Sequence, residues 1–349
     1  MKKVGLVLLI MAVLAASAQD AYSQINRRNI KRSNRGIGNF RGNKTSFKRN
    51  VYNAVGLSLN AFNYYGDLSP SAKKLSTDLS FTRPAVGGSF VHRFGPRYQL
   101  VASFMFGGIK GSDSKSADPN DQDAAYRYVR NLSFRNRIQE LSLVAQVDLF
   151  ENTATYLSRA KWTPYVYAGV AVFHHNPQAQ VPSTDLAGNT FANAGEWVDL
   201  QPLKTEGKDY KLVQAAIPFG IGARFKLTEV IDIAGEFGFR YTFTDYLDDV
   251  SGYYVDLRTL DGELAQAMSY RSNEVKAGAS NKVDAIIANR YNGYQSELGF
   301  TTVAGFGHVN EDENQTKNLR GTSAKDLYMV TSVRVTYIIN RNYHRAKFR

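Results

Sequence analysis

The chain has 349 residues, with 43 lysines and arginines against 31 acids, a formal net charge of +12 and no cysteine. The missing cysteines exclude a disulfide framework and thiol chemistry, so stability must come from packing and hydrogen-bond closure. With 21 Tyr, 20 Phe and 28 Gly against 9 Pro, the composition suits aromatic-rich strands, and no segment after the first few residues approaches the roughly 20 apolar residues of a membrane helix.

Lys2 and Lys3 precede an apolar run from Val4 to Leu14, followed by Ala16-Ser17-Ala18. A charged start, a short apolar stretch and a small-x-small site predict a secretory signal over 1–18, removed after Ala18. No cysteine follows that site, which argues against a lipoprotein. From 19 to 50 the bases Arg27, Arg28, Lys31, Arg32, Arg35, Arg41, Lys44, Lys48 and Arg49 stand against a single acid, Asp20. This stretch is rich in Asn, Arg and Gly and has no amphipathic period, so a largely disordered basic arm is expected. A second basic tail, 341–349, carries Arg341, Arg345, Lys347 and Arg349. Export argues against nucleic acid as their partner and leaves an anionic lipid surface or an acidic protein.

Between the tails, eight segments alternate with a period of two, the pleat of a strand. They run about Ala54–Tyr64, Pro84–Phe94, Tyr98–Gly107, Phe134–Phe150, Trp162–Phe173, Lys211–Phe225, Ile231–Phe243 and Leu327–Ile339. The seventh, IDIAGEFGFRYTF, is the clearest. Its odd positions are almost wholly hydrocarbon, while Asp232, Glu236 and Arg240 share the even face. The facing of the fifth is ambiguous, and Pro218 in the sixth predicts a local bulge because it removes a ladder donor.

Short links join strands two to three, four to five and six to seven, whereas the other connections are long and polar. That alternation predicts an all-β fold over 51–340: an eight-stranded antiparallel transmembrane barrel of outer-membrane type, with both tails on the periplasmic side. Tyr64, Tyr65, Trp162, Tyr241, Tyr246 and Tyr328, near strand ends, are candidates for interfacial girdles facing outer-membrane lipid. The 245–326 connection is too long for a passive loop, and Leu260–Ser272 and Lys282–Tyr291 are helix candidates within it. Gly299–His308 alternates weakly.

An eight-stranded barrel is just wide enough to be filled by its own side chains. Its inward rows supply Glu140, Asp148, Asp232 and Glu236 against Arg93, Arg224, Arg240 and Arg334. Four acids against four bases predict a paired plug instead of a conducting pore, since unpaired charges there would be costly. His174-His175, with Ser183 and Asp185 following, could be imagined as an esterase site, but no motif fixes a nucleophile. The acid runs Asp118-Pro119-Asn120-Asp121 and Glu311-Asp312-Glu313 lack the spacing of a ligand loop. Nothing predicts a cofactor, a metal or catalysis.

The phrases LNAFNYYGDLSP (Leu59–Pro70), FRNRIQELSLVAQVDLFEN (Phe134–Asn152), AIPFGIGARFKL (Ala216–Leu227), FGFRYTFTDYLDDVSGYYVDL (Phe237–Leu257) and DLYMVTSVRVTYII (Asp326–Ile339) resemble the PorG-like outer-membrane proteins of Bacteroidetes. The resemblance covers about Tyr52 to Ile339 and leaves out the basic arm. It implies a non-catalytic component of the type IX secretion and gliding machinery, attaching a periplasmic ring of a PorK-like lipoprotein and a PorN-like partner to the outer membrane. It supplies no active-site residues. Two other functions stay open at this point: a small outer-membrane channel or transport barrel, and a lipid-modifying hydrolase.

Overall fold

A computed structural model of the chain describes residues 51–69, 81–152, 159–288, 320–322 and 324–339. The expected signal, the basic arm 19–50, the tail 341–349, Gly299–His308 and Glu311-Asp312-Glu313 lie outside the described residues.

Alternating side chains make the long strands, and ladder closure makes the fold. The barrel strands are β1 (Tyr52–Tyr65), β2 (Arg83–Arg93), β3 (Tyr98–Ser112), β4 (Ser133–Asp148), β5 (Trp162–Gln180), β7 (Val213–Lys226), β8 (Ile231–Thr242) and β9 (Leu327–Ile338). A short β6 (Trp197–Asp199) pairs with the far end of β5. Hydrogen bonding runs β4-β3-β2-β1-β9-β8-β7-β5, and β5 returns to β4. All these pairs are antiparallel, so the sheet is a closed eight-stranded barrel with no free edge. Among the described residues no helix is long and apolar enough to cross a membrane.

The outward rows are hydrocarbon and uncovered. Leu57 is 77% exposed, Leu59 71%, Leu141 62% and Ile221 60%. In water each such side chain would forfeit about 1.5–3 kcal/mol of burial. A continuous belt of them around a closed barrel is instead the surface that lipid requires.

The largest departures of the strand ends from the sequence expectation are at the long-loop end. β3 and β5 continue to Ser112 and Gln180, so the sheet rises past the apolar belt at the long-loop end. The connections there hold helices α1 (Asp113–Ser116), α2 (Gln122–Arg130), α3 (Gly262–Ser269) and α4 (Asn281–Ala288). α3 falls inside the expected segment Leu260–Ser272, and α4 begins one residue before the expected Lys282–Tyr291 and overlaps it. α1 and α2 were not expected; Asp121 caps α2, its carboxylate accepting from Ala124 N at 3.2 Å.

Pro218 forms no bulge. The β7–β8 register is continuous through Pro218↔Arg240, and the β5–β7 register is the same on both sides of it, at Ala168↔Phe219 and Ala171↔Ala216. The ladder simply omits the pairs between, because a missing donor need not shift the strand. Two of the expected girdle residues also point inward: Tyr64 is 4% exposed and Tyr328 is fully buried. Both share the even, lumen-facing row of their strands. Tyr98, Tyr241 and Tyr337 face out.

The ambiguous fifth strand turns Tyr165 and Tyr167 inward. Room for them comes from glycines on β7 and β8. A Cβ on Gly222 would meet the Tyr165 ring at 2.6 Å, and one on Gly238 would meet the Tyr167 hydroxyl at 2.1 Å.

Candidate functional site

Seen from the short-turn end upward, the lumen is a stack of ion pairs. Asp148 receives Arg93 Nη1 at 2.8 Å and Arg224 Nη2 at 2.6 Å. Asp232 is held by Arg159, whose Nη2 lies 2.6 Å from Oδ1. Arg159 also donates to the carbonyls of Glu229 (2.6 Å) and Thr228 (3.2 Å). Further in, Glu236 accepts from Arg334 and, at 2.6 Å, from the Tyr165 hydroxyl. Above that, Glu140 accepts from Arg240 Nε at 3.2 Å and from the Tyr328 hydroxyl at 2.5 Å.

All eight lumen residues named from the sequence are therefore engaged in ion pairs inside the barrel. Arg159 is the addition. It sits in the β4–β5 link, where alternation assigns no facing, so no sequence signal pointed to it. Glu140 and Asp148 side chains are fully buried, so each pair exchanges a large desolvation cost for a well-formed contact.

Little space is left between these layers. A cavity of about 30 Å³, lined by residues including Ser58, Asn60, Ser89, Ser103, Ser142 and Gln146, has a polar wall and room on the scale of a water molecule. Toward the long-loop end, Phe62, Met105, Ile138, Phe173, Leu247 and Tyr328 belong to one buried apolar cluster that fills the barrel. The lumen is filled by charge pairs interleaved with apolar side chains, including a second buried cluster with Tyr52, Val91, Val101 and Tyr165 at the short-turn end.

Above the plug, the long connections build a roof around buried acids. Arg130 grips Asp113 with two bonds, at 2.7 and 2.8 Å, and donates to the carbonyls of Asp67 and Arg320. Arg320 is 3.2 Å from Glu206 and donates to the Asp249 carbonyl at 2.5 Å. Asp248 and Asp326 both contact the Tyr64 hydroxyl. Burial pushes these carboxyls up: Asp249 to about 6, Asp245 to about 7, and Asp248 and Asp326 well above the ordinary carboxylate range, with Asp67 adding repulsion at Asp248.

The imagined esterase residues do not converge. His174 faces outward, while His175 is buried against Asn136 and the Lys211 carbonyl and stacks on Tyr210. Asp185 accepts instead from Ala187 N and Asn189 N of its own loop. Asp118 likewise closes a local turn by accepting from Asn120 N at 2.9 Å. Among the described residues no group of three or more acids or histidines is arranged to hold a metal.

The bases of the two expected tails, Arg27 to Arg49 and Arg341 and Arg345, lie outside the described residues. What is described is where the barrel releases the chain. β1 and β9 are neighbours, and Ile339 N donates to Asn53 O at 2.9 Å, so β1 begins and β9 ends side by side at the short-turn end.

A family model described as a domain of unknown function, DUF6089, matches residues 43–266. No curated protein matches the sequence significantly. Among solved structures, the chain is similar to Neisserial surface protein A (7% identity, 82% of this chain and 97% of that one, TM-score 0.34). It is also similar to Ail, the attachment invasion locus protein of Yersinia pestis, solved with the heparin analogue sucrose octasulfate (6%, 83% and 99%, TM-score 0.33). A third likeness is to the outer membrane protein OprG of Pseudomonas aeruginosa (10%, 84% and 98%, TM-score 0.31). At such distances no binding property transfers from these proteins.

Proposed function

This chain belongs to the DUF6089 family, and on that premise we propose that it is a non-catalytic outer-membrane component of a type IX secretion and gliding machinery, holding a periplasmic ring of PorK- and PorN-like proteins at the membrane. The observation that supports a scaffold over a channel is the filled lumen beneath an apolar belt. A barrel occupied by its own ion pairs and aromatic side chains has no path to conduct through. Among the described residues, His174, His175 and Asp185 do not converge on a hydrolase site.

The contact surface in this reading is the short-turn end, where β1 begins and β9 ends side by side. The arm Arg27, Arg28, Lys31, Arg32, Arg35, Arg41, Lys44, Lys48 and Arg49, joined by Arg341 and Arg345, presents a dense positive charge to an acidic face of the ring and orders on docking. The ring itself enters through the likeness of the strand phrases to PorG-like proteins. The test is affinity purification of the full chain from outer membranes, beside a chain lacking 25–50. The expected result is a ring lipoprotein that co-purifies with the first and is lost from the second. Undiminished recovery with the shortened chain would remove the arm from the mechanism, and absence of any ring protein from both would overturn the role.

A further inference from the structure

The outer face of β3 and β4 changes character abruptly near the long-loop end. Phe104 and Leu141 are paired across the strands, followed by Phe106↔Gln139, Gly108↔Arg137 and Lys110↔Arg135. Phe104, Phe106 and Leu141 are 51%, 46% and 62% exposed. Hydrocarbon thus gives way to cations within four residues along each strand, a rise of about 13 Å at the ordinary strand spacing.

The guanidinium of Arg135 is held close to other cations. Lys110 and Arg135 hold opposite register positions on one face, with Lys110 Nζ 5.6 Å from the Phe81 ring centroid. Arg137 and Arg83 repel the Arg135 guanidinium. Among the described residues Arg83, Arg135 and Arg137 form no ion pair. Asp199, on neighbouring β6, is taken up by Asn176 Nδ2 at 2.9 Å and Gln178 Nε2 at 2.6 Å. Uncharged groups hold Arg135 in place: its guanidinium lies 3.8 Å from the Trp197 ring centroid, and its Nε donates to Gln178 at 3.0 Å. An oriented cation cluster that opposes itself in the free protein is relieved by an anion.

From this we infer that the patch of Lys110, Arg135 and Arg137 binds the phosphate groups of a lipid A-type phosphorylated glycolipid, whose acyl chains lie on Phe104, Phe106 and Leu141. The apolar surface directly beneath the cations selects a lipid over a free anion, because only an amphiphile covers both at once. The inference rests on membrane insertion by the apolar belt and is independent of the ring-holding role.

The test is titration of the full chain, in non-ionic detergent, with diphosphorylated lipid A, the same lipid after phosphatase treatment, and phosphatidylethanolamine, read by native mass spectrometry. Arg137→Gln is an exposed single change that leaves the fold undisturbed. Lys110→Gln/Arg135→Gln/Arg137→Gln removes the cluster, and Lys161→Gln at the short-turn end is the control. Folding of each is checked by heat-modifiable migration. The diphosphorylated lipid should bind at least tenfold more weakly to the triple variant, by an intermediate factor to Arg137→Gln, and unchanged to the control. Equal binding of Arg137→Gln and wild type would overturn the proposal, as would equal affinity for the dephosphorylated lipid. Failure of the wild type to float with phospholipid vesicles would overturn membrane insertion and the patch together, while leaving the ring pull-down to stand or fall separately.

Discussion

Asp248 and Asp326 converge on one hydroxyl: Tyr64 Oη stands 2.6 Å from Asp248 Oδ2 and 2.9 Å from Asp326 Oδ1. A phenol carries one proton and can donate it to only one carboxylate. The second contact is a hydrogen bond only if that carboxyl brings its own proton. The roof is therefore built to contain at least one neutral acid, and the upward displacement of both groups by burial agrees with the geometry.

The first prediction follows from linkage. Carboxyls held above their ordinary range bind protons more tightly in the folded roof than in the unfolded chain. Their stabilising contribution is complete below about pH 4 and is lost as pH rises through the folded values. For Asp249 and Asp245 those values are about 6 and about 7. Limited proteolysis of the 243–288 connection should accelerate from about pH 5 to about pH 8. Asp245→Asn should flatten the rise. A wild-type cleavage rate independent of pH, after correction for the protease, would dismiss the idea.

The second concerns Glu140, which is fully buried between Arg240 and Tyr328. Arg240→Met leaves an uncompensated carboxylate in the lumen and should destabilise the barrel by about 3–5 kcal/mol. Adding Glu140→Gln should recover most of that loss, because the isolated charge is then gone as well. Urea unfolding in lipid vesicles measures both. A double variant no more stable than Arg240→Met would show that packing, not charge, dominates the site.

The third is functional. Planar-bilayer recordings of the purified protein should show no stable open channel, since ion pairs and the cluster around Phe62 and Phe173 occupy the lumen. A reproducible large conductance would require the plug to leave the barrel.

The fourth tests how the inward tyrosines fit. Gly238→Ala places a Cβ 2.1 Å from the Tyr167 hydroxyl and 2.7 Å from the Phe219 carbonyl. Overpacking of this kind typically costs about 1–3 kcal/mol. Adding Tyr167→Phe should recover only part, since the backbone contact remains. Full recovery in the double variant would locate the whole strain in the hydroxyl.

The barrel was legible because its signal is local. Side chains alternate across the pleat whatever the rest of the chain does, so β8, expected over Ile231–Phe243, forms over Ile231–Thr242. The same alternation assigned Glu140, Asp148 and Arg334 to the inside. It failed where a residue lies off a strand, as with Arg159, or where composition suggested a different role, as with Tyr64 and Tyr328. An aromatic near a strand end looks the same in sequence whether it meets lipid or a buried carboxyl.

Two helices of the roof were legible, but its buried acids were not. Asp245, Asp248 and Asp249 lie in the run DYLDDV, which looks like solvated loop charge. Their burial depends on Arg320, Tyr64 and Tyr210, which come from three distant parts of the chain.

Sequence by itself determined the number of barrel strands, which face of every strand but the fifth meets lipid, and the alternation of short and long connections, because each follows from nearest-neighbour geometry along the chain. Tertiary structure alone decided which acid meets which base, that the fifth strand seats its tyrosines over glycines of other strands, and that charged loop residues such as Asp248 and Asp249 become buried. Those outcomes turn on distances between residues far apart in sequence, and no local period encodes them.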